Sequence, residues 1–506
     1  MQRLSLELMN SDAFEDASRV VRRPGYNPEN LNAGIVHIGI GNFHRAHQAV
    51  YVDDLLAKSG EDWRITAISL RKPDMRDRMQ LQDCLYTLCE SCSEGEHLRV
   101  IGSVESVLVA PENPSAVIDA LASENTYVVT VTVTEKGYYL IPGEWELDLA
   151  NPDIAADIAD SESPKTLFGF LLAACKLRRE RGQRGFSILS CDNLPENGGL
   201  LKSCLLAVAR LKDQSLAYWI EENLGFCSTM VDCMVPATTV ELVKRIQSDT
   251  GYRDMACLQS EAFRQWVIED NFVTKCPDWR AVGVMVVEDV APFERMKLRL
   301  LNGSHSALAY MGRLLDYNYI HEAVGNELLQ RFVVALMRRE LMATLAGVEG
   351  VDLPRYCEQV LARFANPAIP YTCMQVASDS SQKLAQRLLQ PANELNALGR
   401  PCPMICVVIA AWLAFLFRSR CAGKETNIGD PGAAGLIGVM QKLGNMGNFP
   451  SDNHVRVLLM RAGVVPAALL SSDAFVVAVA RALGLILKEG VEATLAAALR
   501  IEAEGV

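Results

Sequence analysis

The first 190 residues alternate short apolar runs with longer amphipathic stretches. "AGIVHIGIG" (33–41) is an apolar run ending in glycines. "RAHQAVYVDDLLAKSG" follows it with helical spacing of apolar residues and a stop at Gly60. "WRITAISL" (63–70) predicts a second strand. "TYVVTVTVTE" (126–135), rich in β-branched residues, predicts a central one. "SPKTLFGFLLAACKLRRERG" (163–182) reads as a helix with a basic C-terminal end, and "GFSILSCDN" (185–193) as a further strand. Strands and helices alternating in this way imply a doubly wound parallel sheet.

After about residue 290 long Ala/Leu-rich segments take over, such as "NELLQRFVVALMRRELMATLAG" and "AFVVAVARALGLILKEGVEATLAAALRIEAEG". The chain therefore reads as α/β in two parts. Residues 1–290 form an N-terminal Rossmann-like domain, and residues 291–506 a mainly α-helical domain carrying substrate and catalytic groups. "CPDWRAVGVMVVEDVAPFER" (276–295) connects them and carries one last strand. "MICVVIAAWLAFLF" (404–417) is the longest apolar run. It is too short to span a bilayer comfortably and predicts a buried helix.

Composition narrows the function. The net charge of −12 argues against a nucleic-acid partner, which calls for a basic face. The N-terminus has early acids and no continuous apolar h-region, so a secretory signal is not expected. Fifteen cysteines then read as reduced thiols in the cytoplasm. Cys89 and Cys92, and Cys402 and Cys406, lack the further ligands a zinc site needs and are expected to be structural; no catalytic metal is expected.

Two stretches carry candidate chemistry. In "GIGNFH" (39–44), Gly39 and Gly41 permit a tight turn and close approach of a pyrophosphate to a helix start. The third place of the G-x-G-x-x-G pattern holds His44, so a strand-to-helix turn without ligand fits the same residues. Beyond the second strand, "RKPD" offers Arg71 and Lys72, which would suit the 2′-phosphate of NADP, and Asp74, which would suit the ribose hydroxyls of NAD. Asp74 makes NAD the expected cofactor and NADP the less favoured one.

The other stretch is "MKLRLLNGSHSALAYMG" (296–312). As an α-helix it would set Lys297 and His305 roughly 80° apart, with Asn302 within a roughly 140° arc of Lys297. A snorkelling lysine beside a core histidine is one reading. The other is a proton-transfer site. Apolar neighbours would lower the lysine pKa from about 10.4 towards neutrality, and neutral amides could stabilise an alkoxide without competing for the proton.

"GIVHIGIGNFHRAHQAVYVD", "TVTEKGYY", "SCDNLPENG", "FRQWVIEDNFV" and "MKLRLLNGSHSALAY" resemble, in order, the mannitol 2-dehydrogenase and fructuronate reductase family of polyol-specific long-chain dehydrogenases. The resemblance runs from about residue 33 to about residue 390. It implies metal-independent hydride transfer between NAD(P) and a small sugar alcohol, ketose or sugar acid. In that reading Lys297 is the general base and acid, and Asn193 and Asn302 hold the substrate oxygen. His305 orients the substrate and Glu294 links the lysine to solvent protons. Ile38, Gly39, Ile40, Gly41, Asn42, Phe43, Asp74, Thr134 and Glu135 would bind the cofactor. Val231 and Asp232 would line the substrate pocket with Gln375 and Lys383. Three positions bear on specificity. Cys233 stands where the family stretch has Arg, and Ser380 where it has Gly. Gln375 stands where mannitol dehydrogenases have Arg and fructuronate reductases Gln. The expected reaction is mannitol 2-dehydrogenase type, with sugar-acid oxidoreduction and a catalytically inactive nucleotide-binding protein as alternatives.

Overall fold

Six short strands pair into one all-parallel sheet in the computed structural model: β1 (Ala33–Ile38), β2 (Arg64–Ser69), β3 (Val104–Val109), β4 (Val128–Val131), β5 (Ser187–Ser190) and β6 (Gly225–Cys227). Their order is β3-β2-β1-β4-β5-β6. Ile38 faces Ile68 of β2 and Val131 of β4 in register. Ile35, Val36 and Ile38 are all buried, as expected where helices cover both sides of a parallel sheet. The order reverses between β1 and β4. Their carboxyl ends therefore open the crevice in which such sheets take ligands.

The structure describes residues 1–14, 20–92, 94–141, 144–160, 163–421, 430, 432–444 and 450–503. The chain divides into two compact units, Met1–Ala291 and Pro292–Val506. In the first, the single helix predicted after β1 is two, Asn42–Ala46 and Gln48–Ser59. The break is at His47 (φ −124°, ψ −86°). Its ring bonds the Gln265 carbonyl at 2.9 Å and packs edge-on against Trp266, a tertiary demand that local periodicity does not reveal. Gly60 ends the second helix in the left-handed region, with its N–H on Leu56 O.

Two smaller sheets were not expected. Tyr86–Cys92 and Gly95–Ile101 form an antiparallel hairpin, flanked by Val21–Arg22 and Leu258–Glu261. Thr229–Asp232, Gln265–Glu269 and Met285–Val287 form the other, the last being the strand predicted in the connecting stretch. The hairpin strand Gly95–Ile101 begins exposed and charged, so it lacks the apolar run that marks the central strands.

The second unit is helical. Among its described residues no strand longer than an isolated bridge occurs. The apolar run lies in a helix, Pro403–Cys421, and every residue from Met404 to Leu416 is buried. Its buried start is capped by Glu340, whose carboxylate accepts the Met404 and Ile405 N–H groups at 2.8 Å. The C-terminal helix is described as far as Ala503; the last residues of that predicted segment lie outside the described residues. No described helix is long and apolar enough to cross a membrane.

Candidate functional site

In the first unit the crevice at β1 and β4 is shaped by the glycine turn. Gly39 has φ +106°, and a Cβ there would lie 2.1 Å from the Thr132 carbonyl oxygen. Only glycine lets the turn pass so close to the end of β4. The Gly39 carbonyl accepts from Gly41 N at 2.7 Å and from Thr132 Oγ1 at 2.8 Å. Gly41 is exposed, and the single neighbour a Cβ there would meet is Gly39 O at 3.9 Å. That open, side-chain-free surface suits a dinucleotide backbone. Ile38 and Ile40 are buried beneath the turn, and Asn42 and Phe43 are half-buried beyond it. Asn42 is held by Arg45, whose Nη2 donates to its Oδ1 at 2.7 Å.

Beneath the turn lies a histidine pair. The rings of His37 and His44 stack with centroids 3.3 Å apart, and both residues are fully buried. His37 Nδ1 lies 2.8 Å from Thr130 Oγ1, and Nε2 lies 3.1 Å from Gly39 O and 3.0 Å from Thr132 Oγ1. A proton on Nε2 with Nδ1 accepting satisfies this network. Burial pushes the His37 imidazole down from its usual 6.5 to about 3, against a smaller upward pull from the Gly39 carbonyl. The folded protein thus binds fewer protons here than the unfolded chain. The neutral ring's stabilisation is whole above about 6.5 and is lost as pH falls towards 3, by up to about 1.4 kcal/mol per pH unit. Urea unfolding should show a lower apparent midpoint as the solution is acidified below 6.5, with a shallower fall in His37→Gln. An equal fall in both forms would show that His37 is not the responsible group.

β4 runs on into Thr132, Val133 and Thr134, and Thr134 and Glu135 are exposed. Next to them, at the end of β5, stands Asp192, 7% exposed. Burial pushes its carboxyl up to about 7, opposed by the backbone N–H groups of Val133 and Thr134 that it accepts. Asn193 follows it and is exposed. Val231 and Asp232 are buried on the strand Thr229–Asp232. Cys233 is half-buried. Asp74 is exposed and opens the helix Asp74–Gln80, several residues past the end of β2; Arg71 and Lys72 precede it, also exposed.

In the second unit the segment read as one α-helix is three pieces. Ala291–Met296 and Ser304–Leu314 are α-helical, and Lys297–Gly303 between them is a π-helix. A π turn bonds residue i to i+5, so residues five apart come nearer to one face than they do on an α-helix. Lys297 and Asn302, set well apart on an α-helix, are therefore brought closer to one face. Tertiary contacts hold the wider turn. Arg299 donates to both Glu394 carboxylate oxygens at 2.6 and 2.7 Å and to Thr344 O at 2.6 Å. Arg387 donates to Ser306 Oγ at 2.9 Å and to the Asn302 carbonyl at 3.4 Å. Ser304 Oγ donates to the carbonyls of Leu300 and Leu301.

Lys297 and His305 are 7% and 8% exposed; Asn302 and Glu294 are half-buried. The His305 ring stacks on Phe364 at 4.7 Å and lies 5.7 Å from Tyr371. Gln375 is exposed and forms a capping box with Thr372, its Oε1 accepting from Thr372 N and Oγ1 at 3.1 and 3.0 Å. Lys383 Nζ donates to Ser378 O at 2.7 Å. Ser380 is buried and bonded, its Oγ 2.5 Å from Asp430 and accepting from Trp412 Nε1 at 2.8 Å, so the hydroxyl at this position has its own partners. Among the described residues no group of three His, Cys, Asp or Glu could hold a metal ion.

Sequence reasoning passed over His37, Asp192, Arg299 and Arg387. Asp192 and Arg299 carried a readable sign, since each is a charge set among apolar residues in "SILSCDN" or "MKLRLL".

The chain matches the family models for the mannitol dehydrogenase Rossmann domain over residues 33–281 and the mannitol dehydrogenase C-terminal domain over residues 289–483. It is 38% identical to the D-mannonate oxidoreductase of Escherichia coli (strain K12), over 95% of this chain and 99% of that one. It is 39% identical to the mannitol 2-dehydrogenase of Aspergillus terreus, over 79% of this chain and 82% of that one. Among solved structures, the Pseudomonas fluorescens mannitol 2-dehydrogenase ternary complex with NAD and D-mannitol is similar at a TM-score of 0.84 and 35% identity, covering 99% of this chain and 100% of that one. An all-parallel sheet of order β3-β2-β1-β4-β5-β6, a glycine turn at its switch point and a helical second unit built around the lysine segment are thus found together in a chain that belongs to the mannitol dehydrogenase family.

Proposed function

We propose that the protein is an NAD-dependent oxidoreductase that interconverts a sugar alcohol and its ketose at carbon 2, as mannitol and fructose. The observation that carries this is the π turn. It brings a nearly buried lysine and an amide towards one face of a helix, which supports reading them as a base and a neutral donor. NAD, when bound, accepts or returns the hydride. Lys297 takes the hydroxyl proton during oxidation and returns it during reduction. Asn302 and Asn193 donate to the oxygen as it gains negative charge, His305 orients the substrate, and Glu294 passes protons between the lysine and solvent. Val231, Asp232, Gln375 and Lys383 line the substrate. The first unit, read as the cofactor domain, offers the turn from Ile38 to Phe43 together with Thr134 and Glu135. Asp74 is assigned to the adenosine ribose. A cytoplasmic location fits a chain with fifteen cysteines.

A second reading, sugar-acid oxidoreduction, is favoured by one observation. Gln375 commits its acceptor end to the Thr372 cap, which leaves its amide donor as the group suited to a carboxylate. NADH oxidation with fructose, fructuronate and tagaturonate, side by side, decides. We expect fructose to give the highest kcat/KM. A preference for fructuronate or tagaturonate would replace the polyol reading by the sugar-acid one, and no turnover with any would leave a nucleotide-binding protein. In the same assay NADH should outperform NADPH. The reverse order would transfer the ribose role from Asp74 to Arg71 or Lys72.

A further inference from the structure

We propose that Asp192 is a positioning residue, a clamp that holds Thr134 in a backbone conformation it would not otherwise keep and so fixes the β4 edge of the cofactor crevice. This rests on the reading of the first unit as the cofactor domain. Thr134 has φ +63° and ψ 169°. That region is essentially glycine's, and a β-branched residue there is strained. Such a conformation persists only where its surroundings over-determine it. The restraint is the Asp192 carboxylate. Its Oδ1 accepts the Thr134 N–H at 2.7 Å and its Oδ2 the Val133 N–H at 3.2 Å.

The clamp is itself braced. Asn197 Nδ2 donates to the Asp192 carbonyl and to Thr229 O, both at 2.8 Å, and its Oδ1 accepts from Thr229 N at 2.9 Å. On the other side the strained segment reaches the glycine turn, because Thr132 Oγ1 donates to Gly39 O at 2.8 Å. The 3₁₀ turn after Thr134 folds back so tightly that a Cβ on Gly137 would lie 2.6 Å from Val133. Asp192 therefore acts through Val133 and Thr134, and these act on the turn. Its two oxygens face the backbone donors of Val133 and Thr134, with the Tyr138 hydroxyl as a further partner, so its work is to place other groups.

The strain makes the idea testable, because glycine adopts the Thr134 conformation at little cost. Four forms of the full chain are compared above neutral pH: wild type, Asp192→Ala, Thr134→Gly and the double variant. Each is read by thermal unfolding and by NADH fluorescence titration. Asp192→Ala should lower the unfolding temperature and weaken NADH binding about ten-fold. The double variant should recover most of both losses relative to Asp192→Ala. A carboxylate that merely fills space would not be rescued by a glycine at another position. If Asp192→Ala does not fold, Asp192→Asn, which keeps one acceptor, carries the same comparison with and without Thr134→Gly. A wild type that fails to bind NADH would remove the cofactor reading, and the unfolding temperatures would still decide the clamp. A double variant no better than Asp192→Ala in unfolding temperature overturns it.

Discussion

Lys297→Ala should remove nearly all turnover, by at least about 10²–10⁴-fold, the range that general acid–base catalysis supplies. NADH binding should stay close to wild type. The lysine belongs to the second unit, and the turn assigned to the dinucleotide belongs to the first. Alanine is the best helix former, so the local backbone has no reason to unwind, and the clamps that hold the π turn, Arg299 on Glu394 and Arg387 on Ser306, do not involve the lysine side chain. Stopped-flow turnover, NADH titration and thermal unfolding on one preparation separate the possibilities. In the wild type, alcohol oxidation should rise with pH as one group loses its proton, and any residual activity of the variant should lack that rise. Normal turnover, or a variant that simply unfolds, would return Lys297 to the role of a snorkelling side chain.

The second large effect is expected at Gly39. Gly39→Ala places a methyl 2.1 Å from Thr132 O and 2.8 Å from Thr132 C, both backbone atoms, at φ +106°. β4 is hydrogen-bonded to β1 on one side and β5 on the other, so it cannot retreat without breaking a ladder. We expect a loss of about 3 kcal/mol or more in stability and a collapse of NADH affinity. Gly60→Ala is the control. It has φ +64° with nothing within 4 Å of the added Cβ, so it carries backbone strain alone, about 1 kcal/mol. Equal effects at the two positions would show that strain, and not the approach of the turn to β4, limits the site.

Four strands of the central sheet were legible because they are almost wholly buried and written as largely apolar runs. β1 and β4 are the clearest cases. The helix Pro403–Cys421 was legible for the same reason. Val104–Val109, half-buried and interrupted by Glu105 and Ser106, and the three-residue Gly225–Cys227 were not. The hairpin Tyr86–Ile101 was not either, since its second strand begins exposed with Glu96 and His97 and carries a further charge, Arg99, in its buried half. The lysine segment was recognisable as helical, but its π character was not. Every residue from Ala291 to Leu314 is compatible with an α-helix, and the wider turn is imposed by Arg299, Ser304 and Arg387 through partners up to 95 positions away in the chain. Asn193 was singled out in "SCDN" while its neighbour Asp192 was passed over. Asp192's role depends on the conformation of Thr134, which lies on another strand and shows no glycine to announce it.

The π turn has a consequence for how this protein can change. Each i to i+5 closure accommodates one more residue than an α-helical turn does. A one-residue deletion inside Lys297–Gly303 could thus leave a continuous α-helix, with its hydrogen bonds intact, while rotating Lys297 about 100° relative to His305. Substitutions along this helix are graded in their effects, but insertions and deletions are not. The proposed chemistry is written in the residue count of the segment as much as in its side chains, and lineages that keep the chemistry must keep the count.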